Sequence, residues 1–426
     1  MRGAQQRGGH RLFSIEDGPH TATRYNKDIM FRKTRIFTPG PTPLLPAAQF
    51  AMAAADMHHR TPEFRAMYQR VLGQLRTFTG SKNDVILMAA SGTGAMEASV
   101  SNLTSPGDRV LVLTAGKFGE RWTALTKAFG CQADVVSVPY GQTFALDAVR
   151  AALKPDTRAV YMQATETSTG VRHDVTAVAK LLREAKSEAL LVVDAITGLG
   201  TTHFDIDGLG LDVVIGGSQK AVMIPPGLAY LSVSERAWQR MESTKNPRYY
   251  FDLRRERKSA ANGESAYTPA VALIAALGAA FDYIAGQAGG DLERGRNLLI
   301  ENAETCAQMT RAAVPVLGQR LFAPDAPAAA VTAILPPAGV DSGVIVKEMK
   351  ARFALTITNG QGEMKGQLFR VAHLGYFDPL DTLAVVGALE QVTADTLKLP
   401  GFQLGSALAA AQKTLAARTQ QLKATS

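Results

Sequence analysis

The chain has 426 residues, 46% hydrophobic and 20% charged, which excludes a fibrous or intrinsically disordered protein and leaves room for two domains with ample cores. Its net charge of +8 comes from the ends, with eight basic residues against three acids in residues 1–35 and three against none in residues 404–426. The body is therefore near neutral, and no basic nucleic-acid face is expected. Two cysteines, Cys131 and Cys306, exclude a disulfide framework and suit a reducing, cytoplasmic setting, and the longest apolar stretch, near residues 270–281, is too short to span a bilayer.

Residues 1–29 mix Gly, Gln, Arg and His without apolar periodicity, and a disordered basic tail is expected there. An N-terminal segment, residues 30–50, follows with the loop Phe37-Thr38-Pro39-Gly40-Pro41-Thr42-Pro43. It is expected to join a smaller C-terminal domain. In His58-His59 the adjacent side chains point apart and no further ligand pattern accompanies them, so metal binding is not expected. Short apolar runs then alternate with helical patterns, at residues 84–89, 109–113, 133–138, 159–162, 190–194, 213–216 and 228–233. This alternation predicts an α/β fold with a mainly parallel, seven-stranded sheet in a large domain, residues 51–285. Ligands of such sheets sit beyond the carboxyl ends of the strands. Ser91-Gly92-Thr93, Thr167, Asp194 and Lys220 all fall at such ends, so one pocket could gather them.

Ser91-Gly92-Thr93 opens a helix straight after a strand; free amides there favour an anion, with a plain capping turn as the alternative. A dinucleotide turn would need a third glycine after Gly92 and Gly94, where Glu97 stands. Lys220 follows one apolar strand and Asp194 closes another. Such a pair is what pyridoxal phosphate needs: an amine to form a Schiff base with the cofactor aldehyde, and a carboxylate to keep the pyridine nitrogen protonated. Beyond residue 285 a smaller α/β domain, residues 286–400, is expected from strand-like residues 329–335, 355–358 and 367–371 and helical residues 344–353 and 379–392. Arg370 lies on one of these strands between apolar neighbours, so it needs a buried anion, either a ligand carboxylate or a structural ion-pair partner. Residues 401–426 are rich in helix formers and read as a helical extension.

Three segments, Ala164-Thr165-Glu166-Thr167-Ser168-Thr169-Gly170, Leu191-Val192-Val193-Asp194-Ala195 and Gly217-Ser218-Gln219-Lys220 with Pro225-Pro226-Gly227 behind it, resemble the class V aminotransferases of fold type I in wording, order and spacing. Within that class the chain is similar to the alanine-glyoxylate, serine-glyoxylate and serine-pyruvate aminotransferases and to relatives acting on aspartate. The resemblance spans roughly residues 37–392. It implies that Ser91, Gly92, Thr93 and Gln219 hold the cofactor phosphate and that Phe118 stacks on the ring, where many relatives carry tryptophan. It further implies that Thr167 lies beside the ring oxygen, that Arg370 and the backbone at Gly40 bind the substrate carboxylate, and that Thr268 reaches the phosphate of a neighbouring subunit in a homodimer.

The expected reaction is a ping-pong transamination from a small amino acid, alanine or serine, to a 2-oxo acid such as glyoxylate or pyruvate. Aspartate or 2-aminoethylphosphonate as donor, and a non-catalytic pyridoxal-binding regulator, remain as rivals. A cysteine desulfurase would need a cysteine on a mobile loop, whereas Cys306 sits in a helical stretch.

Overall fold

The computed structural model describes residues 31–425; the expectation for residues 1–29 lies outside them. Seven strands form the principal sheet: β1 (Asp84–Met88), β2 (Arg109–Thr114), β3 (Gln132–Ser137), β4 (Ala159–Gln163), β5 (Leu190–Asp194), β6 (Val213–Gly217) and β7 (Ala229–Val233). Their order is β1-β7-β6-β5-β4-β2-β3. All neighbours run parallel except β7, which is antiparallel to both β1 and β6. Apart from the partly exposed edge strand β3, the strands read as apolar runs because helices cover both faces. Alternate residues feed two separate cores: Val85, Leu87, Leu111, Leu113, Leu191 and Val193 enter one, and Ile86, Met88, Val110, Val112, Leu190 and Val192 enter the other.

Pro62–Thr79 and Val271–Gly286 pack on the first core through residues such as Tyr68, Leu75, Leu277 and Phe281. Gly92–Leu103 packs on the second through Ala95 and Met96. A four-stranded antiparallel sheet, with strands Arg320–Leu321, Val331–Leu335, Phe369–Ala372 and Thr358–Asn359 in that order, has a third core built from Ile334, Phe369, Ile345 and Val385. The helix Leu292–Val316 runs between cores: Leu292 and Leu299 lie on the first, Met309 and Val314 in the third. The apolar run at residues 355–358 is not one strand. Leu355–Thr356 pairs in parallel with Arg35–Ile36, whereas Thr358–Asn359 pairs with Phe369–Arg370, so the chain changes sheets at Ile357. Phe37, next to that pairing, joins the third core. No helix among the described residues is long and apolar enough to cross a membrane.

The C-terminal extension is helical over Ser406–Thr425. Ala407 and Ala411 enter the third core, and the buried Glu390 accepts from the amides of Gly405 (3.0 Å), Ala407 (2.6 Å) and Leu408 (3.1 Å). A carboxylate on those amides satisfies donors that a helix start leaves open and opposes its dipole. Glu390→Ala should therefore cost roughly 2–3 kcal/mol in chemical denaturation, and a loss below about 0.5 kcal/mol would show that water replaces the carboxylate there.

Candidate active site

β5 ends in Asp194, and the neighbouring parallel β6 leads into the turn that carries Lys220. The turn is tied on several sides. Met223 N donates to the Lys220 carbonyl (3.1 Å), Ser218 Oγ donates to the Pro225 carbonyl (2.7 Å) and accepts from Leu228 N (3.2 Å), and Thr42 Oγ1 donates to the Lys220 carbonyl (3.1 Å). The N-terminal loop thus lies against the lysine, and the buried Lys220 Nζ donates to the Pro39 carbonyl. A Cβ on Gly40 would lie 2.5 Å from Nζ, and the φ of +139° is itself closed to other residues. The structure therefore places Gly40 against the amine.

Burial pushes the Lys220 ammonium down to about 8, with Asp194 opposing the shift and Arg370 adding to it. Burial likewise pushes the Asp194 carboxyl up to about 6, opposed by the Ile196 amide, which donates to Oδ1 at 3.0 Å. An amine brought near neutrality is a better nucleophile and general base than a solvated lysine.

The hairpin Thr165–Glu166 with Val171–Arg172 projects from the end of β4 toward the four-stranded sheet. At its turn Gly170 has φ +72°, and a Cβ there would lie 3.1 Å from backbone atoms of Val331 and Ala333. This close seating brings Thr167 to Arg370. Arg370 is buried, and donates from Nη1 to the Thr167 carbonyl (3.0 Å) and from Nη2 to the Asn359 carbonyl (3.0 Å). Its Nε has no partner, and no carboxylate lies within ion-pair distance of it among the described residues. Desolvation pulls the guanidinium down to about 10, with Glu166 opposing. A buried cation resting on two carbonyls is incompletely compensated, so the structural ion pair considered for Arg370 is not formed. Thr167 Oγ1 is hydrogen-bonded to Thr197 Oγ1 at 2.8 Å.

Gly92–Leu103 has Ser91 at its N-cap but neither a side-chain cap hydrogen bond nor an acid in its first turn, which leaves its first amides without a side-chain acceptor. A Cβ on Gly92 would strike Ile196, which packs this start against the strand-end residues following Asp194. Phe118 is half-buried at the beginning of Lys117–Ala128. The Arg121 guanidinium covers its ring at 5.0 Å and donates to Thr93 Oγ1 at 2.9 Å. The buried Gln219 Oε1 lacks a partner. An open helix start, an orphaned amide oxygen, a deprotonatable buried amine and a buried carboxylate with Oδ2 free of hydrogen bonds among the described residues together fit pyridoxal phosphate.

Lys220, Asp194, Gln219, Gly40, Thr167 and Arg370 are thus connected directly or through shared partners, as are Gly92, Thr93 and Phe118. Thr268 is elsewhere, in a cavity of about 290 Å³ with His59, Arg60 and Tyr267, whose walls include none of the residues around Lys220. Cys306 is buried within Leu292–Val316, its thiol pushed up to about 12 by burial, which leaves it unsuited to a mobile nucleophilic role. Among the described residues no group of three or more His, Cys, Asp or Glu could hold a metal ion. Sequence reasoning assigned no role to Glu166 or Arg121. The signal for the first was an acid inside a hydroxyl-rich strand-end run, and for the second a cation three positions beyond Phe118, hence on the same helical face.

The family model described as Aminotransferase class-V matches residues 47–308. The chain is 34% identical to the L-aspartate–glyoxylate aminotransferase of Paracoccus denitrificans, over 90% of this chain and 96% of that protein. It is 38% identical to a Synechococcus protein named soluble hydrogenase, small subunit, over 90% and 98%. It superposes on the subgroup IV aspartate aminotransferase of Thermus thermophilus with a TM-score of 0.78 and 32% identity, covering 84% of this chain and 99% of that one. The chain belongs to the class V aminotransferase family. It is a pyridoxal-phosphate-dependent aminotransferase of fold type I.

The raised Asp194 value has a consequence for stability. Because its folded pKa lies above its unfolded one, the native apoprotein binds the extra proton, and this group makes stability fall as pH rises from about 4 to about 6. Denaturation of the apoprotein should show that fall in the wild type relative to Asp194→Asn, by about 3 kcal/mol at pH 8. Parallel pH profiles for the two proteins would contradict it.

Proposed function

We propose that the chain transfers the amino group of a small amino acid, alanine or serine, to a 2-oxo acid such as glyoxylate or pyruvate. The observation that carries this reading is Arg370: a buried guanidinium with an unpartnered Nε and no acid in contact, whose charge helps to push the Lys220 ammonium down. One carboxylate on Arg370 supplies the missing charge, and one guanidinium suits a donor with a single carboxylate.

In this reading Ser91, Gly92, Thr93 and Gln219 hold the cofactor phosphate, Phe118 covers one ring face, Thr167 lies at the ring oxygen, and Asp194 keeps the ring nitrogen protonated. When bound, the cofactor supplies an electron sink for the charge left as the donor's Cα–H bond breaks. Lys220 Nζ first holds the cofactor and then takes the α-proton of the donor and returns it, acting as base and then acid. Arg370 fixes the donor's carboxylate, with the Gly40 backbone beside the amine. Thr268 would act on the phosphate of a neighbouring subunit; its cavity with His59 and Arg60 and the nearby exposed Tyr249 and Tyr250, 68% and 48% accessible, favour a homodimer there.

A second reading, aspartate as donor, is favoured by the activity named for the Paracoccus relative, with His58, His59 or Arg60 supplying a second positive group. Steady-state assays with alanine, serine, aspartate and 2-aminoethylphosphonate against glyoxylate and pyruvate separate the donors. Highest kcat/KM with alanine or serine is expected; a preference for aspartate would replace the reading, and preference for the phosphonate would remove Arg370 from its role. Lys220→Ala should lower kcat by at least ~10³-fold, and near-normal turnover would sink the assignment. Arg370→Ala should raise the donor KM by ~30-fold or more, about 2 kcal/mol, with a smaller effect on kcat.

A further inference from the structure

We propose that Glu166 is the positioning residue that sets the separation between Phe118, over the cofactor ring, and Arg370, at the substrate carboxylate. The inference rests on the proposed transamination and adds a residue to that site. Glu166 has no exposed surface. Its Oε2 accepts from the amides of Phe118 (3.1 Å) and Gly119 (3.1 Å), and its Oε1 accepts from Ser168 N (3.1 Å) and Ser168 Oγ (2.5 Å). All four partners donate. Ser168 Oγ also accepts from Lys117 N at 3.2 Å, so its proton turns toward Glu166. On Oε2 an acid O–H would meet only the two amides and on Oε1 only Ser168 Oγ could accept it, so the cradle favours the carboxylate, opposing the larger effect of burial, which raises the pKa of this group. The amides of Phe118 and Gly119 belong to the first turn of Lys117–Ala128, where an anion is favoured.

Space has been made for it. A Cβ on Gly116 would lie 2.6 Å from Cγ and Cδ of Glu166 and from Ser168 Oγ, so the helix start can close on the carboxylate only with glycine at that position. One side chain thus joins two parts: the helix start bearing Phe118, and the hairpin turn in which Ser168 donates to it and Thr167 gives its carbonyl to Arg370. The charge also reaches further, holding protons on Arg370 and opposing ionisation of Asp194. These effects differ in sign for the substrate. As a bare anion Glu166 would repel the incoming carboxylate, whereas as a brace it keeps the carboxylate's seat in place.

Glu166→Gln separates the two, because its amide NH₂ would face donor groups and open the cradle while removing the charge. In the full chain we expect the cofactor dissociation constant, read by absorbance titration of the apoprotein, and the donor KM each to rise ~10-fold, with kcat changed less. Ser168→Ala, which keeps the charge and removes one donor, should move both in the same direction by ~3-fold and serves if Glu166→Gln does not fold. Unchanged constants in the folded variants, or a lowered donor KM, would overturn the proposal. Should the wild type take up pyridoxal phosphate but transaminate no amino acid, the proposed function fails while the titration still tests Glu166.

Discussion

Removing an ammonium and a carboxylate from water is costly, and Lys220 and Asp194 are both buried at the ends of adjacent strands. Each draws its charged form partly from the other, yet for both the desolvation effect outweighs the mutual attraction, leaving the lysine easier and the aspartate harder to ionise than in solution. A structure that kept them only for stability would do better with apolar side chains. The surrounding design makes sense as the means of holding this unfavourable pair: β5 and β6 fix the spacing, Thr42 and Met223 fix the turn, and the Pro39 carbonyl receives the amine without adding charge.

The same economy governs the hairpin at residues 165–172. Its seating on the four-stranded sheet depends on Gly170, where backbone meets backbone, and on the bonds of Ala328 N to the Gly170 carbonyl and Arg172 N to the Ala326 carbonyl, both 2.8 Å. Arg370 can then reach the Thr167 carbonyl from the other sheet. The hairpin and the strand bearing Arg370 are consequently joined through short backbone contacts, which carry less conformational entropy than long side chains.

Much of this was legible in the sequence. Fully covered strands appear as contiguous apolar runs, so all seven strands and the strand-end positions of Asp194 and Lys220 could be read directly, and Arg370 declared itself by its apolar neighbours. What could not be read depends on contacts between distant segments. Residues 355–358 look like one strand because both halves are apolar or β-branched, and only the competing partners, Arg35–Ile36 and Phe369–Arg370, divide them. Glu166 looks like a turn polar residue until the start of Lys117–Ala128 folds onto it. Gly40 reads as a loop glycine, and its proximity to Nζ emerges only when the N-terminal loop crosses the lysine turn.

The stacking role proposed for Phe118 falls to a smaller aromatic than tryptophan, and Arg121 lies beside it. A phenyl ring offers less area and a weaker quadrupole than an indole, but here a guanidinium lies against one face at 5.0 Å and is itself fixed to Thr93 Oγ1 at 2.9 Å. The ring is thereby held on one face by a cation anchored at the start of Gly92–Leu103. The Arg121 charge also favours ionisation of Asp194. One arginine three positions beyond Phe118 thus touches Phe118 and Thr93 and favours the charged form of Asp194.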